Sequence, residues 1–254
     1  MKNSSTKEKG EETMDEKYFQ IKLPSKCLLY KDVDPTKIEI RTFKGKDEKL
    51  IAEINSENFE KKFVSVLKQV LKGIDPLELT VGDELHLALW ETINSYSKDF
   101  FVTHECEHCW QKIDTTVDLS KIDVVELKDG FEEPKEIKLP ESGDIVKLRL
   151  MRVADILKVD EITKLGKNIW LYRYALSIVD DRGIWDKVDY LENMESKDLM
   201  HIRAFHDEYM HGPKMETQYE CLKCGGTGTM PVPFRLEMLL PYGKALGRHI
   251  GNAV

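Results

Sequence analysis

Apolar and polar positions alternate at Phe19, Ile21 and Leu23 before Pro24-Ser25, and residues 38–43 read as a second strand after the Asp34-Pro35 turn. Two short strands bounded by turn residues are predicted, forming a hairpin-like entry. The period then lengthens. Leu50, Ile51 and Ile54 predict a short amphipathic helix, and Phe59, Phe63, Val66, Val70 and Leu71 a longer one stopped by Gly73. A third helix carries Leu85, Leu89, Ile93 and Tyr96 on one face and opens with Thr80 and Asp83 placed as a capping box. Strand-like residues return on both sides of Cys106-Glu-His-Cys109: Phe100, Phe101 and Val102 before it, Val117 and Leu119 after it. Residues 122–127, 136–139 and 145–150 read as further strands, separated by Asp129-Gly130 and Ser142-Gly143 turns. Residues 153–165 are amphipathic, and 169–179 are apolar nearly all round, so this stretch is expected at the buried centre of its region. Ser196 is expected to cap a last helix that turns Leu199, Ile202, Phe205 and Tyr209 inward and ends at Gly212-Pro213.

This order predicts an α+β fold. A polar arm (1–17) precedes an N-terminal strand-and-helix unit (18–97). Two halves of a split four-cysteine zinc ribbon (98–119 and 215–235) enclose an inserted unit of strands and helices (120–214). A tail (236–254) follows, with apolar residues at 236–240 and then Gly243, Gly247 and Gly251 at a period of four. The tail reads either as a flexible end whose apolar residues cover the ribbon or as a docking peptide for a partner.

The ribbon reading rests on Cys106-Glu-His-Cys109 and Cys221-Leu-Lys-Cys224. Two cysteines three apart across a tight turn aim both sulfurs at one ion, and two such turns supply the four thiolates of a closed tetrahedral Zn2+ site. A shift of 115 superposes Cys106 on Cys221, Cys109 on Cys224, Val117 on Val232 and Leu119 on Phe234, a weak internal repeat. Gly225 and Gly226 suit the fold-back under the second pair; the first has Trp110 and Gln111. Competing readings are two separate redox pairs, chance, or His104 or His108 replacing a thiolate. A thioredoxin-type pair needs a strand-to-helix setting, and a disulfide needs an oxidising compartment. Cys27 reads as an ordinary buried thiol. Iron fits an all-thiolate site as zinc does. A set filled by four cysteines leaves no position for water or substrate, which points to folding instead of catalysis.

Charge and composition narrow the function. The chain has 254 residues, 41% of them hydrophobic, and a net charge of −8. That charge, with no Lys/Arg run, disfavours nucleic-acid binding, which draws on a basic face. No apolar run approaches the roughly 20 residues of a membrane span. The polar start has no apolar core of a signal peptide, so a cytosolic protein is expected. No phosphate loop, nucleophile elbow or metalloprotease motif is present, and His201, His206 and His211, five apart, are expected to scatter around a helix and face solvent. The expectation is a protein that is not an enzyme.

Two families are resembled. Cys221-Leu-Lys-Cys224-Gly-Gly226-Thr-Gly228 fits the C-x-x-C-x-G-x-G repeat of the DnaJ cysteine-rich region over eight residues, a likeness of knuckle geometry. A second series runs Leu23-Pro-Ser-Lys-Cys-Leu-Leu-Tyr30, Gly73-Ile-Asp-Pro-Leu77 with Gly82-Asp83, Val102-Thr-His-Glu-Cys-Glu-His-Cys109, Leu171-Tyr-Arg-Tyr-Ala-Leu176, Leu191-Glu-Asn-Met-Glu-Ser-Lys-Asp-Leu199 and Val232-Pro-Phe234. Over about residues 20–235 this order of features resembles the T4-type tailed-phage baseplate hub and hub-assembly proteins. The resemblance implies a late phage protein, a hub subunit or assembly chaperone, with other hub proteins and the tape-measure protein as partners. It would act in the host cytoplasm during assembly or reside in the tail baseplate. Only the cysteine pairs carry over as site residues. The runner-up is a zinc-ribbon adaptor for nucleic acid or a polymerase, and a metal-dependent enzyme comes third.

Overall fold

The computed structural model describes residues 16–164 and 169–240. Helices and small antiparallel sheets make an α+β fold. Strands β1 (Phe19–Gln20), β2 (Glu39–Ile40) and β3 (Leu71–Lys72) form one sheet in that order. Between β2 and β3 run α1 (Gly45–Ile51) and α2 (Phe59–Val70), and α3 (Val81–Ser95) follows. Their apolar faces meet in one core that includes Ile21, Ile38, Ile40, Phe63, Leu67 and Leu87.

Two local features depart from what the sequence predicts. Helix α2 does not run to a stop at Gly73: it ends at Val70, because Leu71 leaves helical geometry to pair with Ile40. The capping box at α3 is only half made. The Thr80 hydroxyl accepts from the Asp83 amide at 3.3 Å, but the Asp83 carboxylate turns to the Ser25 amide (2.9 Å) and the Tyr30 hydroxyl.

Next come the hairpin of β4 (Asp99–Glu105) and β5 (Lys112–Asp118), the short β6 (Val124–Val125), and the hairpin of β7 (Lys135–Lys138) and β8 (Ile145–Leu148). Helices α4 (Val153–Lys164), α5 (Trp170–Ser177), α6 (Ile184–Glu192) and α7 (Ser196–Glu208) pack on β7–β8. Strand β9 (Gly212–Pro213) pairs with β6. The hairpin of β10 (Glu216–Glu220) and β11 (Thr227–Pro231) and the short α8 (Leu236–Leu239) complete the described chain.

In this half, α5 is not buried all round. Tyr172 and Ala175 face the core, while Arg173 is exposed and Trp170 is 49% exposed beneath the Arg203 guanidinium, 4.6 Å from its ring centre. Glu195, not Ser196, stands at the cap of α7 and makes no side-chain cap bond. Gly212-Pro213 does not end α7, which stops at Glu208; it is the strand that meets β6.

The arm expected at 1–17 lies outside the described residues except for Glu16, which pairs with Lys44 and Lys46 at 3.0 Å each, and Lys17. The apolar start of the tail is built in: Met238 joins the core around the cysteine hairpins, and Leu239 and Leu240 join the N-terminal core. The Gly-spaced remainder lies outside the described residues. No helix among the described residues is long and apolar enough to cross a membrane.

Candidate metal centre

Each C-x-x-C occupies the turn of a two-stranded hairpin, and the two turns are built alike. The Cys106 amide donates to Gln111 O at 3.0 Å and the Trp110 amide to Cys106 O at 2.8 Å. In the second hairpin the Cys221 amide donates to Gly226 O and the Gly225 amide to Cys221 O, both at 2.8 Å. Closing such a turn requires a left-handed residue after the second cysteine: Trp110 takes φ 56° and Gly225 φ 73°. Gly225 reaches that conformation freely, whereas a residue with a Cβ is strained there.

The turns face each other, so that all four sulfurs lie within 4.8 Å of one another. Cys106 Sγ is 3.8 Å from Cys224 Sγ, and Cys109 Sγ is 3.8 Å from Cys221 Sγ. Zn–S bonds of about 2.3 Å in a tetrahedron put sulfurs about 3.8 Å apart. The donor set and its spacing therefore fit one tetrahedral ion, and Cys106, Cys109, Cys221 and Cys224 are the residues that would hold it.

The surroundings act oppositely on two of the cysteines. Burial pushes the Cys106 thiol up, but the backbone N–H groups of Cys109 and His108 and the neighbouring sulfurs outweigh it and bring it down to about 6. At Cys224 the Gly226 N–H, 3.4 Å from the sulfur, acts downward, but burial and the three other sulfurs push this thiol up to about 12. Four sulfurs this close cannot all carry charge without a cation between them.

The two flanking histidines stay out of the cluster. His108 Nε2 donates to Thr227 O at 2.9 Å, with its ring against Gly226. His104 stands edge-on to Tyr219, ring centres 4.4 Å apart, and neither of its ring nitrogens has a hydrogen-bond partner among the described residues. Cys27 sits apart, half-buried, where desolvation holds its thiol near 11.

The histidines expected to face solvent do not all do so. His201 is exposed, but His206 is half-buried, bonds Ser177 Oγ at 3.1 Å, and is driven down to about 4 by desolvation. His211 is buried: Nδ1 donates to Tyr209 O at 3.0 Å, and Nε2 accepts from the Thr80 hydroxyl at 2.7 Å. Spacing along one helix could not show this, because His211 lies beyond α7 in the turn to β9.

Residues 16–239 match the family model described as T4 bacteriophage base plate protein. The chain belongs to that family. No curated protein and no solved structure matches it. Family membership covers both hairpins and nearly all of the described fold, and it assigns a tail-baseplate role to the whole body.

Proposed function

We propose that this baseplate protein is a non-enzymatic hub subunit or hub-assembly chaperone whose body is held by a structural Zn2+ in a split ribbon. The carrying observation is the set of four sulfurs within 4.8 Å of one another, with Cys106–Cys224 and Cys109–Cys221 each at 3.8 Å. With four thiolates around one ion, no coordination position remains for water or substrate, so the metal's contribution is to folding. The ion would tie residue 106 to residue 221 across more than a hundred residues of chain, a constraint that lowers the entropy of the unfolded state. Family membership supports other tail proteins as partners, and among these we propose hub proteins and the tape-measure protein. The protein would meet them in the host cytoplasm during assembly.

The test is recovery of the tagged chain from infected cells, with co-purifying proteins and metal identified by mass spectrometry. Hub or tape-measure proteins with one zinc per chain are the expected result. Recovery of polymerase, or of nucleic acid whose binding weakens steeply with salt, would instead make the protein an adaptor. A catalytic metal would show itself by an exchangeable water on the ion.

A further inference from the structure

The repeat seen at the cysteines extends through the molecule. Ile21-Lys-Leu-Pro24 and Ile137-Lys-Leu-Pro140 are identical and close the first strand of each half. The registers agree: Phe19 pairs with Ile40 and Gln20 with Glu39, as Lys135 pairs with Leu148 and Glu136 with Lys147. In both halves the second strand receives a third from beyond two helices, Ile40 facing Leu71 and Leu148 facing Ile178. The amide of the next residue completes the match, with Arg41 N donating to Val70 O and Arg149 N to Ser177 O.

Those arginines make the same clamp. Arg41 Nη1 donates to Thr42 O (3.1 Å) and Asp47 Oδ2 (2.6 Å), and Nη2 to Asp47 Oδ1 (3.1 Å); the Lys44 amide also donates to Asp47 Oδ2 at 2.8 Å. Arg149 Nη1 donates to Leu150 O (3.1 Å) and Asp155 Oδ2 (2.7 Å), and Nη2 to Asp155 Oδ1 (3.0 Å); the Arg152 amide also donates to Asp155 Oδ2 at 3.0 Å. Each clamp fixes the strand-to-helix corner, at α1 and at α4.

The last helix of each half repeats too. Asp83 and Asp198 occupy the third position of α3 and α7, and both are buried. Each accepts from the amide just after its Ile-Lys-Leu-Pro: Ser25 N to Asp83 Oδ1 at 2.9 Å, and Glu141 N to Asp198 Oδ1 at 2.8 Å. A cysteine hairpin then closes each half. The differences are insertions: the long loop between Ser25 and Lys37 in the first half, and α6 in the second.

A shared element order alone is a common supersecondary likeness. Shared register, a shared four-residue sequence and the same polar clamps at the same positions are not expected of chance. We infer that the chain is two copies of one module in tandem, and that the four-cysteine site is a contact between the copies, each contributing one C-x-x-C. One knuckle then belongs to each module, and the two hairpins share a core, with Val102 and Val117 from one and Tyr219 and Met230 from the other, where the copies meet. Either module alone carries half a metal site, whose natural complement is a second copy of the module. Beyond the cysteine site, the modules also meet where the Val153 amide donates to Leu79 O, where the Thr80 hydroxyl meets His211, where β6 pairs with β9, and where α8 packs on the first core.

The inference rests on the zinc reading for its metal arm only, and the test separates the two. A protease site placed at the exposed Asp129-Gly130 turn allows the intact, folded chain to be nicked between the modules. With zinc bound, the halves should stay together. Chelation should weaken their association at least 100-fold, while amides of the Ile40–Leu71 and Leu148–Ile178 ladders stay protected in the separated halves. Loss of either ladder on separation, or equal association without zinc, would overturn the inference. If the parent binds no zinc, the ladders still decide whether the modules exist. Should the nicked form not fold, Arg41→Lys and Arg149→Lys in the uncut chain serve instead. Each should speed amide exchange at least tenfold within its own module, and spread of the effect across both would show one cooperative unit and refute the modules.

Discussion

At position 110 a tryptophan holds the left-handed backbone that glycine holds at position 225, and its ring is 75% exposed. Little packing offsets the strain, which costs on the order of 1 kcal/mol. Trp110→Gly is therefore expected to leave zinc binding intact and to raise stability by up to about 1 kcal/mol, whereas Gly225→Ala should lower it by a similar amount. Denaturant titration of the zinc-loaded protein checks both. The cysteines themselves are a larger matter. Cys106→Ser or Cys221→Ser should abolish stoichiometric zinc and lower the melting temperature by ten degrees or so, since ligand binding is coupled to folding. Full thermal stability in either variant, with no metal in the parent, would sink the structural-zinc reading.

Helix α3 crosses the joint between the halves, and its contacts are exacting. Gly82 lies so close to the turn before β9 that a Cβ there would meet His211 O at 2.1 Å. Gly82→Ala should push β9 away, break the Thr80–His211 bond and cost about 2–3 kcal/mol, seen as a lower midpoint in urea. The same helix holds Glu91 in full burial. Desolvation raises its carboxyl to about 8, against the downward pull of the Ser95 hydroxyl, the Phe43 amide and Arg41. A carboxyl raised in the folded state contributes stability that is complete below its unfolded value near 4.5 and is lost as pH climbs toward 8. Melting temperature should thus fall over that window. Glu91→Gln should flatten the slope and be the more stable form at pH 8, by at least about 1 kcal/mol. An unchanged slope would assign the pH response elsewhere, such as to Glu60, which burial and nearby Asp160 raise to about 7.

For the molecule as a whole, the proposed metal and the arginine clamps would act at different levels. The clamps are internal to each half: Arg41 and Asp47 are each 1% exposed. Removing one partner strands a buried charge, so Arg41→Met should cost about 3–5 kcal/mol and disturb mainly the first half. The proposed zinc would instead link the two hairpins. Chelation should loosen β4–β5 against β10–β11 before the helical cores melt, giving amide exchange that rises first around Cys106 and Cys221. A melt in which both cores and both hairpins lose protection together would show that the metal supports the whole body at once.

The sequence by itself determined the α+β order, most of the helices and hairpin turns, and the pairing of two cysteine knuckles, because those depend on local period, turn chemistry and ligand spacing. Its account stopped where a residue's partner is far along the chain. Nothing local to residues 212 and 213 marks a strand, since β9 exists only because β6 lies beside it. The burial of His211 and the turning of Asp83 from its own helix cap to Ser25 and Tyr30 are likewise long-range choices. Tertiary structure also decided which copies correspond. Between the first strands, the clamps and the knuckles the offset changes as loops and α6 intervene, so the single shift of 115 aligns the knuckle regions and Asp83 with Asp198 but neither the first strands nor the clamps. Strand register and shared hydrogen bonds align the rest.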